Sequence, residues 1–232
     1  MGICRKKHLG RRNIRWSRNL AYVVGLLATD GCLSKDKRHI DFTSNDRDLI
    51  NTFKDCLRLD NKVCLKKCGD ANRVCSRIQF GDVRLYRFLL SIGLMPNKTK
   101  ILGKLNIPDK YFFDFLRGIL DGDGYIQVYQ DSVYPNSQRL YTRFACASLR
   151  HLMWLRKRIK YYLRIKGSLQ ETVKKIFELR YAKSESVVLL QAIYYSRYLP
   201  CLKRKRDIAE PFLLICGSGE TGKHLRLRTV GP

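Results

Sequence analysis

Two apolar stretches of this 232-residue chain end in the same two residues. Residues 21–31 (AYVVGLLATDG) and 115–126 (FLRGILDGDGYI) are apolar at helical spacing, and each breaks off at Asp-Gly. The closing aspartates, Asp30 and Asp123, lie 93 residues apart. A motif that recurs at one domain length constrains architecture more than any composition value does, because both copies must serve one repeated structural unit.

The sequence after each Asp-Gly runs in the same order. Two short strands joined by a polar turn are expected around residues 32–44, then a helix with its apolar stripe at Leu49, Ile50, Phe53, Cys56 and Leu57, with Asn45 or Asp46 as N-cap. A hairpin turning at residues 69–72 follows, and a helix closed by Gly93 and Pro96. The second copy gives strands at 125–130 and 139–147, a helix over 148–165, a hairpin at 168–182 and a helix from Glu185 that Pro200 stops. The pattern predicts an α+β protein of two pseudo-symmetric αββαββα units. The divisions are an arm (1–17), a first half (18–100), a linker (101–110), a second half (111–207) and a tail (208–232) that packs as a strand or extends loosely.

Each four-stranded sheet is expected to turn an apolar face to its helices and a polar face elsewhere. Arg139, Tyr141 and Arg143 alternate with Leu140 and Phe144; Glu178 and Arg180 alternate with Phe177, Leu179 and Tyr181; Arg73, Arg77 and Gln79 oppose Val74, Ile78 and Phe80. Lys35, Lys37, His39, Asp41, Lys66, Gln127, Tyr129, Gln170 and Thr172 complete the two polar faces. Either these faces are simply solvated or they read base edges in a major groove. The charge favours the second reading. Lys and Arg number 46 against 20 Asp and Glu, a net +26, and an excess that large calls for a polyanionic partner, nucleic acid before an anionic membrane. No apolar run approaches a membrane span, and the basic N-terminus has no secretory h-region, so an intracellular, non-secreted protein is expected. The nine scattered cysteines then read as reduced thiols, with zinc at Cys64, Cys68 and Cys75 disfavoured because a fourth ligand is missing nearby.

Gly25 and Gly118 give the two motif helices small-residue faces on which their backbones can approach. Helices packed this way along a pseudo-two-fold bring Asp30 and Asp123 side by side, where like charges resist joint ionisation. An oxygen-seeking divalent cation, Mg²⁺ above all, resolves that conflict.

Residues 23–31 (VVGLLATDG) and 116–124 (LRGILDGDG) resemble the two motifs of the LAGLIDADG homing endonucleases of the single-chain, two-motif type, and the element order extends the resemblance over residues 18–207. The resemblance implies a monomeric, site-specific DNA endonuclease of intron or mobile-element origin that cuts both strands across the minor groove and leaves 3′ overhangs. It implies Asp30 and Asp123 as metal ligands, helped by the carbonyls of Thr29 and Gly122, with Mg²⁺ or Mn²⁺ active and Ca²⁺ supporting binding without cleavage. It implies a saddle of two sheets on double-stranded DNA. It also places a cation near each scissile phosphate, matched here to Lys98 and Lys203, and a water-positioning polar residue at the end of each second strand, matched to Asn45 and Ser148. The sixth motif position is Asp121 in one copy and Ala28 in the other, so Asp121 is expected to make a helix-end contact rather than to act in catalysis.

Two further signals stand apart. Basic runs at 1–20 and 150–166 each hold seven Lys or Arg and no acid, suiting phosphate contacts or a solvated face. A near P-loop over 212–224 fails at His224, where a hydroxyl is needed, and no length remains for the helix that should follow. The rival functions are an RNA-binding intron maturase, with intron RNA as partner, and a non-cleaving DNA-binding regulator. The retained Asp30 and Asp123 argue against the second.

Overall fold

The computed structural model describes residues 14–68, 74–135, 137–172 and 176–213. Its order is α1 (Arg18–Thr29), β1 (Gly31–Leu33), β2 (His39–Ser44), α2 (Arg47–Leu57), β3 (Cys64–Lys67), β4 (Val74–Gly81) and α3 (Val83–Ser91). It continues with α4 (Phe112–Gly122), β5 (Gly124–Gln130), β6 (Gln138–Cys146), α5 (Leu149–Leu163), β7 (Ser168–Glu171), β8 (Phe177–Tyr181), α6 (Lys183–Ile193) and α7 (Lys203–Leu213). Two antiparallel four-stranded sheets result, ordered β1-β2-β4-β3 and β5-β6-β8-β7. The same topology in both halves makes the molecule pseudo-symmetric.

The halves meet through α1 and α4, and glycine decides how closely. A Cβ at Gly25 would lie 2.2 Å from Phe115 O, and one at Gly118 would lie 2.1 Å from Tyr22 O. Any side chain at either position would separate the helices. Both helices are buried nearly end to end, which accounts for their apolar composition on all sides. Ser17 caps α1 by accepting from Leu20 N at 3.1 Å. Around this axis the core faces of the sheets contribute Ile40, Phe42, Ile78 and Phe80 from one half, and Leu140, Phe144, Leu179 and Tyr181 from the other.

One charge is sunk in the core. Arg117 is completely buried; it donates to Asp114 Oδ1 (2.8 Å), Ile193 O (3.0 Å) and Pro200 O (2.8 Å), and its guanidinium lies 5.4 Å from the Tyr22 ring centroid. Its hydrogen bonds supply the partners that a buried cation must have. The Ile193 contact also explains a boundary. The last helix of the repeat is expected to run to Pro200 but stops at Ile193, whose carbonyl turns to Arg117. The chain then enters α7, a helix the sequence reading does not anticipate. It crosses the expected boundary between second half and tail, and Ala209 and Phe212 are buried. The near P-loop falls almost wholly outside the described residues, as do Arg5, Lys6, Lys7, Arg11 and Arg12 of the arm.

The expectation of reduced thiols needs one correction. Cys68 and Cys75 form a disulfide, with Cα atoms 6.0 Å apart. The β3–β4 hairpin brings these two onto one sheet face, which spacing along the chain does not reveal. The pairing also removes two of the three thiols considered for zinc. Among the described residues, no group of three or more His, Cys, Asp or Glu could hold a metal ion.

Candidate active site and nucleic-acid interface

Asp30 and Asp123 are the C-cap residues of α1 and α4, their backbone N–H groups donating to Leu26 O and Ile119 O. Each helix therefore ends its run of unpaired carbonyls at a carboxylate, and the partial negative charge of a helix C-terminus disfavours an anion there. The two carboxylates also oppose each other. Burial in their surroundings, followed by the charge of Asp123, pushes Asp30 up to about 7; burial raises Asp123 as well. Both residues still show surface to solvent, so the crowding is that of a partly open site rather than an interior. Within a strongly basic protein this is a local anionic site.

Two buried lysines hold the helix ends. Lys98 Nζ donates to Thr29 O (3.2 Å) and makes a shorter contact to Gly31 O. Lys205 Nζ donates to Leu120 O (2.7 Å), Asp121 O (2.8 Å), Gly122 O (3.4 Å) and Gly124 O (2.5 Å). Burial lowers both ammonium pKa values, that of Lys205 to about 8. Lys205, not Lys203, is thus the partner of Lys98. Lys203 is exposed on the first turn of α7, while Lys205 points inward. Matching the two segments by basic character alone is off by two residues, because the sequence does not announce that a helix begins there.

The water-positioning pair separates too. Asn45 lines a cleft of about 350 Å³ together with Asp30, Thr43, Asp46, Gly122 and Arg204. Its Oδ1 lies 2.9 Å from Cys75 Sγ. Ser148 is 2% exposed, and its hydroxyl donates to Leu102 O at 2.5 Å, so it tethers the linker instead of facing the cleft. Asp46 takes the N-cap position of α2 but turns its carboxylate to Arg204 Nε of the other half, 2.6 Å away. The carbonyls of Thr29 and Gly122 stand at the helix ends, where Thr29 Oγ1 would be 2.0 Å from a Cβ at Gly122. Asp121 also lines this cleft, but its carboxylate is engaged in the helix crossing: Oδ2 accepts from Tyr22 Oη (2.8 Å) and Leu202 N (2.7 Å).

The polar sheet faces follow strand register. On the second sheet Gln127 pairs Tyr141, Tyr129 pairs Arg139, Arg143 pairs Arg180, and Gln170 pairs Glu178, so these eight share one side. They form a connected layer. Arg143 donates to Gln127 Oε1 (3.0 Å), Glu178 (3.3 Å) and Tyr125 Oη (3.1 Å); Arg180 lies 5.0 Å from the Tyr141 ring centroid; Tyr129 stacks on Tyr141. Arg139 pairs with Asp131 at 2.5 Å. Thr172 closes the β7–β8 hairpin by donating to Ile176 O. Tyr125, absent from the residues expected on this face, belongs to the layer, and its alternation with Gln127 is the sequence signal that marks it. On the first sheet Asp41 is buried and fixes Arg77 through an ion pair of 2.6 Å. Gln79, Lys66, Lys35 and Lys37 are exposed, and His39 pairs with Asp36. Arg73 lies outside the described residues.

Residues 17–93 match the model of the LAGLIDADG-like domain. No curated protein matches the chain. Full-length DUF199/WhiA from Thermatoga maritima is 16% identical with a TM-score of 0.55, the match covering 86% of this chain and 63% of that one, so the chain spans less than two thirds of that protein. The meganuclease I-SmaMI, bound to uncleaveable DNA, is 11% identical with a TM-score of 0.59 over 87% of this chain and 92% of the other. The LAGLIDADG meganuclease I-AabMI, bound to uncleaved DNA, is 15% identical with a TM-score of 0.54 over 84% and 88%. At these identities the likeness is one of fold, and it extends over both halves. No helix among the described residues is long and apolar enough to cross a membrane.

Proposed function

We propose that this protein is a monomeric, site-specific double-stranded DNA endonuclease, a homing endonuclease encoded within an intron or mobile element. The observation that carries the reading is the pair of exposed carboxylates, Asp30 and Asp123, at the abutting ends of two buried helices, with a polar sheet face on either side. The donor set suits a hard divalent cation. Oxygen ligands alone are offered, the carboxylates repel each other, and the carbonyls of Thr29 and Gly122 keep a lone pair beyond those given to lysine. Mg²⁺ or Mn²⁺ held there would act as a Lewis acid toward a phosphate oxygen.

The chain's own groups supply the rest. Arg143, Arg180 and Arg77 are guanidiniums steadied by acids or aromatic rings on the sheet faces, suited to guanine edges in the major groove. The exposed lysines of the hairpins add phosphate contacts that set affinity rather than sequence preference. Lys98 and Lys205 hold the carbonyls of the helix ends and bring positive charge beside the carboxylates, where charge would build on phosphate. Asn45 orients water in the cleft beside Asp30.

The test is direct. Purified protein, a duplex enriched from a random library by binding in Ca²⁺, and Mg²⁺ are expected to yield cut DNA with 3′ overhangs, and Asp30→Asn and Asp123→Asn are expected to stop cutting while leaving binding in place. Duplex bound but never cut would favour a non-cleaving DNA-binding protein of this fold. Preference for intron RNA over duplex would favour a maturase.

A further inference from the structure

The two halves are not equal beside their aspartates. Strand register gives the correspondence: Gly31 pairs with Phe42 in one sheet and Gly124 with Phe144 in the other, each glycine following its motif aspartate. Counting on from the phenylalanines, Thr43 corresponds to Ala145, Ser44 to Cys146, Asn45 to Ala147 and Asp46 to Ser148. The N-cap positions of α2 and α5, at Asp46 and Ser148, agree with this count. Thr43, Ser44 and Asn45 line the cleft in the first half, where the second half has Ala145, Cys146 and Ala147, so a hydroxyl and a carboxamide are replaced by methyl groups and a second hydroxyl by a thiol. Ser148, whose hydroxyl stands at the place of Asp46, is spent on Leu102 O.

Resting on the nuclease reading above, we infer that the two strands of the target are cut at unequal rates, the phosphodiester served by the Thr43–Asn45 cleft first, so that a nicked duplex accumulates. The same hydrolysis runs at each strand. A water oxygen bonds to phosphorus, the bond from phosphorus to the 3′ oxygen breaks, the water's proton leaves to solvent, and the 3′ oxygen takes a proton. What differs is how the attacking water is held. A cleft of about 350 Å³ walled by a carboxamide, a threonine hydroxyl and carboxylates can hold ordered water by several hydrogen bonds. Alanine methyl groups give water no partner. Loss of orientation at a reacting centre costs on the order of 10- to 100-fold in rate.

The experiment uses the enriched duplex with a different dye on each strand, Mg²⁺, and denaturing gels over time. One strand is expected to be cut at least about tenfold faster, and a supercoiled plasmid carrying the site should pass through an open-circular form. Asn45→Ala should slow the fast strand alone. Ala147→Asn should speed the slow strand; this gain serves as the second arm should Asn45→Ala fail to fold. Equal rates in the unaltered protein, or equal slowing of both strands by Asn45→Ala, overturns the inference while leaving the nuclease reading intact. Intact strands in every lane overturn both.

Discussion

Tyr22 Oη donates to Asp121 Oδ2 at 2.8 Å, joining the two motif helices across 99 residues of sequence. Both residues are buried, and Asp121 Oδ1 has no hydrogen-bond partner among the described residues. Burial pushes Asp121 up to about 6. A carboxyl raised in this way favours the fold fully below about pH 4, and that contribution is lost as pH rises through about 6. Tyr22→Phe should therefore cost about 1–3 kcal/mol in urea unfolding at pH 8. Asp121→Asn should flatten the fall in melting temperature between pH 5 and pH 8.

Lys205 and Lys203 make opposite predictions from neighbouring positions. Lys205→Met removes the ammonium shared by three carbonyls at the end of α4 and by Gly124 O at the start of β5, so a loss of about 2–4 kcal/mol and of DNA cutting is expected. Lys203→Met changes an exposed side chain and should shift the melting temperature by about 1 °C or less. Thermal melts of the two variants side by side decide the matter.

A methyl group at the helix crossing is a sharper perturbation. Gly25→Ala places a Cβ 2.2 Å from backbone oxygen, which no rotamer change relieves. Overpacking of this kind costs about 1–3 kcal/mol or more, and Gly118→Ala should behave alike. Gly103→Ala, with open space around the new Cβ, is the control. Circular dichroism melts should place both Gly25→Ala and Gly118→Ala well below Gly103→Ala.

The pH response of cation binding follows from Asp30. With its carboxyl raised to about 7, the metal-free fold is favoured below about pH 4 and loses that contribution as pH climbs through about 7. A divalent cation needs the deprotonated form. Ca²⁺ should therefore raise the melting temperature at pH 8 and do so less at pH 6, and Asp30→Asn should abolish the difference. An equal Ca²⁺ shift at both pH values would contradict the assignment.

Arg143 is the best-supported guanidinium of the second sheet, bonded to Gln127, Tyr125 and Glu178. Its replacement by Ala should weaken binding to the enriched duplex by about 1–3 kcal/mol and relax sequence preference at one position. Lys66→Ala, altering an exposed β3 residue, should weaken all duplexes alike and reduce the salt slope by about one. Binding isotherms at two salt concentrations separate these behaviours.

The repeat, the element order and the two carboxylates were legible in the sequence because they depend on local periodicity and on residues that end helices. Gly25 and Gly118 were legible for the same reason, since small residues at helical spacing mark a close approach. What the sequence left open depended on register and on contacts between distant segments. Lys205 rather than Lys203 turns inward only because α7 begins at Lys203 and sets its phase. Ser148 proved a tether and not a water ligand because the linker returns to meet it. Cys68 and Cys75 meet only when β3 and β4 pair. The inequality between Asn45 and Ala147 needed the strands aligned through Phe42 and Phe144 before it could be seen. Short-range chemistry thus specified the halves and their acids, whereas side-chain direction, which changes face with a shift of one residue in a strand or two in a helix, was decided by the tertiary structure.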